Sequence, residues 1–208
     1  NIKKKLISFH ISNEQIKIQR IIDDLKCKKI ISLVSDAGTP ALSDPGKNLI
    51  SKCHDNDIKV IPVPGASAIL SAVSVSGFTD NFYFCGFFPK KKNEIENFLS
   101  KIKLIKGTLV FFMPARDLGK NSHYLTKFFP RSNFLIAREM TKVHETYIRD
   151  FMTNIKKYIQ NNLKGEMTLV VDNLIEVERD VNIDKEIGLL IGKMSSKNIA
   201  EYLSKKLE

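Results

Sequence analysis

Residues 35–46 read Ser35-Asp36-Ala37-Gly38-Thr39-Pro40-Ala41-Leu42-Ser43-Asp44-Pro45-Gly46 and follow an apolar stretch. Asp36 therefore stands where a strand ends, and its carboxylate projects into the crevice there. Thr39 adds a hydroxyl and a backbone N–H, while Gly38 and Gly46 mark points where the backbone must bend or approach something closely. A cationic or amino-bearing small ligand suits this loop. A turn held by Asx-type hydrogen bonds would use the same residues without a ligand. A second loop, Pro62-Val63-Pro64-Gly65-Ala66-Ser67-Ala68, has the same place in the next unit, and its small side chains leave room for a flat ligand. Neither loop is a Walker loop or a Gly-x-Gly-x-x-Gly fingerprint, so nucleoside triphosphate and NAD binding are not supported. Further along, Arg138, Glu139, Lys142 and Glu145 place two cations and two acids within eight residues. They offer proton transfer and charge stabilisation, or else a surface ion-pair cluster. Lys90, Lys91 and Lys92 follow Phe87 and Phe88, a pairing that suits phosphate contact with base stacking, or solvated lysines over core phenylalanines.

These residues need a frame. Ser12 and Gln15 form a capping-box pattern before Ile16, Ile18, Ile21, Ile22 and Leu25, which predicts an amphipathic helix. Residues 29–35 and 58–63 are short, nearly continuous apolar runs, the pattern of parallel strands covered on both faces. Helices follow each, through Leu49 and Ile50 and over residues 66–76. This repeated β-loop-α order predicts a parallel α/β sheet with ligands at the carboxyl ends of its strands. Residues 77–81 read as a linker, after which strands are expected at 82–85, 108–113, 134–138 and 166–172, with an extended 145–149. Helices are expected at 94–105, through Leu118 and Leu125, around 155–159 and over 196–207. The expected fold class is α/β, with a parallel-sheet domain over residues 1–77, a mixed-sheet domain over 78–183 and a helical segment over 184–208.

The net charge of +10 favours a polyanionic partner, although a Lys-, Ile- and Asn-rich composition raises basicity by itself. No apolar run approaches the ~18 residues of a membrane span. Cys27, Cys53 and Cys85 make no metal-ligand spacing and read as reduced thiols of a cytoplasmic protein, so no metal is expected. The chain opens on Asn1, not Met, and is expected to be a fragment.

Taken in order, several segments resemble the tetrapyrrole-methylase (class III methyltransferase) superfamily, and within it the bacterial enzymes that methylate a cytidine 2′-hydroxyl of 16S ribosomal RNA. They are His10-Ile11-Ser12-Asn13-Glu14, the 35–46 loop, the 62–68 turn and Gly86-Phe87-Phe88-Pro89-Lys90. Ala137-Arg138-Glu139-Met140-Thr141-Lys142 with Glu145-Thr146, and Lys164-Gly165-Glu166-Met167, continue the likeness over nearly the whole chain. Three departures stand out. The family's opening strand with its Pro-x-Gly-Asn-Leu turn and its Glu-Asp-Thr-Arg segment are missing; Phe112-Met113-Pro114-Ala115-Arg116-Asp117 replaces Tyr-Glu-Ser-x-His-Arg; and the basic C-terminal helices stop short at Glu208.

The resemblance implies S-adenosylmethionine folded in a cleft between two α/β domains. Asp36, Gly38 and Thr39 would contact it from the first loop, Ser67 and Ala68 from the second, and Met113, Ala137 and the backbone around Met167 from the second domain. It also implies the small ribosomal subunit as partner and a homodimer; Lys90, Lys91 and Lys92, by their type and place beside two phenylalanines, are the residues expected on the RNA. Glu139 or Glu145 would orient or deprotonate the hydroxyl, with Arg138 and Lys142 holding phosphate or stabilising the oxygen. A small-molecule methyltransferase of the same fold and a non-catalytic RNA-binding relative are the alternatives.

Overall fold

The computed structural model describes residues 4–159, 164–173, 187, 190–191 and 194–207. Asn1–Leu174 form one compact unit and Ile175–Glu208 another. The first holds α1 (Glu14–Lys26), α2 (Lys47–Asp55), α3 (Ala68–Ser76), β1 (Phe82–Phe87), α4 (Lys92–Ile102), β2 (Gly107–Pro114), α5 (Leu118–Phe128), β3 (Asn133–Arg138), β4 (Thr146–Phe151) and β5 (Glu166–Asn173). Short 3₁₀ turns span Ala115–Asp117 and Met152–Tyr158. The second unit contributes α6 (Ser196–Leu207). The boundary expected near Gly77 lies inside the first unit, and that expected at 183–184 lies outside the described residues.

The strands form one mixed sheet in the order β1-β2-β5-β3-β4, in which β1 and β2 are parallel and the other pairs antiparallel. Period-two alternation makes it a sheet with two dry faces. Leu109, Phe111, Met113, Phe134, Ile136, Met167, Leu169 and Val171 point to one side. There Leu99 of α4, Leu118 and Leu125 of α5, and Met152 and Ile155 of the 3₁₀ turn cover them. Val110, Leu135, Ala137 and Val170 point to the other, against Ile69 and Ala72 of α3. The small residues of α3 let that helix lie close on the sheet.

The parallel sheet expected before residue 77 is corrected. Residues 29–35 and 58–63 form no strand and no ladder among the described residues, and most of their apolar side chains face solvent: Ile30 is 96% exposed, Val34 79% and Val63 88%, with Leu33 and Ile58 partly buried. An apolar run calls for burial, but a strand also needs a neighbour for its N–H and C=O groups. No described segment pairs with either. The capping box at Ser12 also fails. The N-cap position of α1 is Asn13, without a side-chain cap bond. The buried Glu14 carboxylate instead accepts from the Gly46 N–H (3.2 Å) and from Asn48 Nδ2 (3.4 Å), tying α1 to the start of α2. Ile21, Ile22, Leu49 and Cys53 pack beneath that link.

Leu125 is fully buried between α5 and the sheet. Leu125→Ala should therefore cost about 2–5 kcal/mol of stability, read as a lower midpoint in chemical denaturation with unchanged slope.

Candidate functional site

The two loops meet. Thr39 Oγ1 donates to the carbonyl of Ala66 at 3.2 Å, across 27 residues of chain. Ser35 Oγ donates to the carbonyls of Ala37 (3.2 Å) and Gly38 (3.3 Å), shaping the turn that opens the first loop. Gly38 holds φ +72° with no atom within 4 Å of where a Cβ would stand, so this left-handed corner faces open space. The exposed Asp36 carboxylate makes no hydrogen bond among the described residues and is an unspent acceptor.

Ser67 is the N-cap of α3, with extended backbone and a side chain accepting from Leu70 N at 3.4 Å; Ala68 opens the helix. Because α3 is docked on the sheet, the second loop is anchored there too. Ala137 lies fully buried under α3, with Met140 partly buried beside it. Met113 and Met167 differ. They are ladder partners near the strand ends, but their side chains are buried on the opposite face, where Met113 Sδ accepts from Asn121 Nδ2 at 3.2 Å. From these two residues only backbone can serve the α3 side.

The charged cluster caps the end of β3. Arg138 Nη1 donates to the Lys164 carbonyl (3.1 Å) and Nη2 to Thr146 Oγ1 (3.3 Å). Glu139 takes φ +50°, and its carboxylate accepts from the Glu166 N–H (2.9 Å) and from Lys142 Nζ (3.0 Å). The Glu166 N–H first, and then Lys142, hold this carboxyl below its ordinary range. The same hydrogen bond from the other side raises Lys142. Glu145 Oε2 accepts from Thr141 N at 2.6 Å across the β3–β4 turn. Glu139 is thus a latch between two strand ends, and both of its donors favour the ionised form.

Sequence reading missed one participant. Gly165 has φ +98°, and a Cβ there would stand 2.6 Å from the Glu139 carboxylate. The Lys-Gly-Glu string was visible, but the carboxylate that requires the glycine comes from 26 residues upstream.

In the basic loop, Phe88 is 5% exposed and packs on Phe98 and Phe111, whereas Phe87 is 62% exposed and lies edge-on to Phe112. Lys90, Lys91 and Lys92 are all exposed, and Lys91 pairs with Glu94 at 3.2 Å.

A latch of this kind has a pH signature. The folded Glu139 pKa lies below its unfolded value of about 4.3, so its stabilisation is complete above that pH and is lost as pH falls through the folded value. Glu139→Gln should flatten the fall in unfolding midpoint below pH ~4.3. Gly165→Ala should destabilise at neutral pH by more than ~1 kcal/mol, because φ and space both oppose it.

A model of the tetrapyrrole (corrin/porphyrin) methylases matches residues 3–156. Among curated relatives, the ribosomal RNA small subunit methyltransferase I of Pasteurella multocida is 34% identical over 184 residues, covering 86% of this chain and 66% of the relative. That of Halalkalibacterium halodurans is 36% identical over 174 residues, covering 83% and 60%. The chain therefore spans less than two thirds of the length of either. Among solved structures, a diphthine synthase aligns with a TM-score of 0.60 at 16% identity, covering 81% of this chain and 69% of that one. A Thermus thermophilus uroporphyrin-III C-methyl transferase complexed with S-adenyl homocysteine aligns at 0.50 and 12%, covering 76% and 73%. At such identities the likeness is one of fold. The family match covers most of the chain and includes the two loops and the strands β1 to β4: the chain belongs to the tetrapyrrole (corrin/porphyrin) methylases.

Proposed function

We propose that this chain carries the S-adenosylmethionine-dependent methylation of a cytidine ribose 2′-hydroxyl in 16S RNA of the small ribosomal subunit. The observation that supports it best is the hydrogen bond from Thr39 to Ala66, which joins the two loops into one wall beside α3. The curated relatives' names point to ribosomal RNA as acceptor. In this reading residues 1–77 and 78–183 form the two sides of the cofactor cleft, and the protein works as a homodimer.

The residues present fit the cofactor. Asp36 offers an uncommitted carboxylate to an amino or hydroxyl group, and the Gly38 corner leaves room for close approach. Thr39, Ser67 and Ala68 lie on the joined loops, and Ala137 on the strand beneath α3. Met113 and Met167 would contribute backbone. When bound, S-adenosylmethionine supplies a methyl group on a sulfonium that leaves without acid assistance.

The chain's own task is to align the acceptor hydroxyl and manage its charge. Arg138 and Lys142 put cations beside the β3–β4 turn, where they would hold a phosphate or stabilise developing negative charge. Glu139, spent on Glu166 and Lys142, acts as a positioning residue for that turn. Glu145 lies on the exposed side of the turn, where it would orient the hydroxyl. Lys90, Lys91 and Lys92 would meet phosphates while the exposed Phe87 ring stacks on a base, aided by the net charge of +10.

Titration calorimetry with S-adenosylhomocysteine tests the cofactor half. Saturable binding is expected, weakened roughly ten- to a hundred-fold in Asp36→Ala by loss of a charged hydrogen-bond partner. Absence of binding would instead mark a non-catalytic RNA-binding relative. Transfer of labelled methyl to unmodified small subunits, but not to free tetrapyrroles, is the expected acceptor result; the reverse would reassign the substrate.

A further inference from the structure

On the face of the sheet opposite α3 lies a cavity of about 90 Å³. Its floor is apolar: Leu118 at the start of α5, Ile136 on β3 and Ile148 on β4. Its walls are polar: Arg138, Thr146, Lys157 and Tyr158. Lys157 and Tyr158 close the 3₁₀ turn that follows β4.

Among the described residues no acid lines this cavity, though two cations do. Arg138 spends one donor on a carbonyl and one on a hydroxyl, and it forms no ion pair among the described residues. Glu139 feels its charge but is committed to the Glu166 N–H and Lys142. Lys157 likewise has no ion pair among the described residues. Asp150 feels Lys157 without pairing with it, and its oxygens accept from Tyr158 Oη (2.7 Å), Asn154 Nδ2 (2.9 Å) and Phe151 N (2.7 Å). An anion entering the cavity would meet two cations over an apolar floor. Arg138 retains N–H donors beyond the two in use, in the planar fork that matches oxyanions. The size narrows the ligand further. Pockets for whole small molecules run to roughly 300–1,000 Å³, so this one suits a phosphoryl group and not a base or nucleoside.

We infer that this cavity seats a phosphodiester of the acceptor RNA backbone, held between Arg138 and Lys157. The inference rests on the proposed RNA acceptor. It adds Lys157, which no motif marks, to the RNA-binding residues, and it gives the Arg138 guanidinium two duties: bracing the β5 entry and holding a phosphate.

Two measurements on the full chain test it, with the exposed Lys157 exchanged for Gln. In the first, inorganic phosphate is titrated into ¹⁵N-labelled protein at low ionic strength. Saturable shifts are expected at the amides of Thr146, Ile148 and Tyr158, and these should be lost in Lys157→Gln. No saturable shift in the unsubstituted chain overturns the site, whatever the protein methylates. In the second, binding to small ribosomal subunits is followed against salt. Lys157→Gln should lower the slope of log K against log[salt] by about one while leaving S-adenosylhomocysteine affinity unchanged. Phosphate shifts that depend on Lys157, together with an unaltered salt slope, would make this a free-phosphate site and overturn the RNA assignment. Phosphate shifts in a protein that transfers no methyl to RNA would support the oxyanion cavity and overturn the acceptor proposal instead.

Discussion

Burial of Ile69 and Ala72 against Val110, Leu135, Ala137 and Val170 is the contact on which the rest of the arrangement depends. The 35–46 and 62–68 loops have no ladder of their own to hold them in place. Their register on the sheet comes through α3, whose first residues are the end of the second loop. Burying a side chain the size of isoleucine contributes about 1.5–3 kcal/mol, and alanine's short side chain lets the helix axis come close to the strands. One hydrogen bond then carries that placement on to the first loop, from Thr39 to Ala66. Arg149 extends the anchorage at the other end of α3, donating from Nε to the Ser76 carbonyl at 2.9 Å while its guanidinium lies over the Phe78 ring.

The polar groups around the end of β3 divide into those spent on architecture and those left for a ligand. Glu139 and one side of Arg138 are spent, each satisfying a backbone group or hydroxyl at a strand end, while the exposed Glu145 braces the turn through Oε2. The positive φ of Glu139 and Thr141 is the local cost of that turn, offset by the N–H groups it pairs. Asp36, Lys157 and the lysines at 90 and 92 make no such bond among the described residues. An uncommitted charge beside a shaped, partly apolar surface can still gain by meeting a counter-charge. A surface pair in water gains little more.

Strict alternation within a strand was legible from the chain alone, although a short apolar run and a capping-box pattern were not enough. Leu109-Val110-Phe111-Phe112-Met113 alternates faces as period two requires, and β3 and β5 do the same. The small-residue helix after the second loop stands where its composition puts it. The pairing of cations with aromatics at residues 87–92 was equally plain, but which ring was core was not. Phe88 and Phe87 are adjacent, and a register shift in β1 between Phe84 and Phe87 decides which of them turns inward.

By itself, then, the sequence determined the alternating strands of the mixed sheet, the two glycine- and proline-bearing loops, the basic charge and the family to which those segments belong. Only the tertiary structure decided that residues 29–35 and 58–63 pair with nothing described, and that the Met113 and Met167 side chains belong to the far face. It alone made Glu139 a latch over Gly165, and brought Lys157 to Arg138. The reason is physical. Side-chain periodicity fixes which faces must leave water, which is a local matter. Partners for backbone groups and the neighbours of a charge come from distant parts of the chain, and no short stretch of residues specifies them.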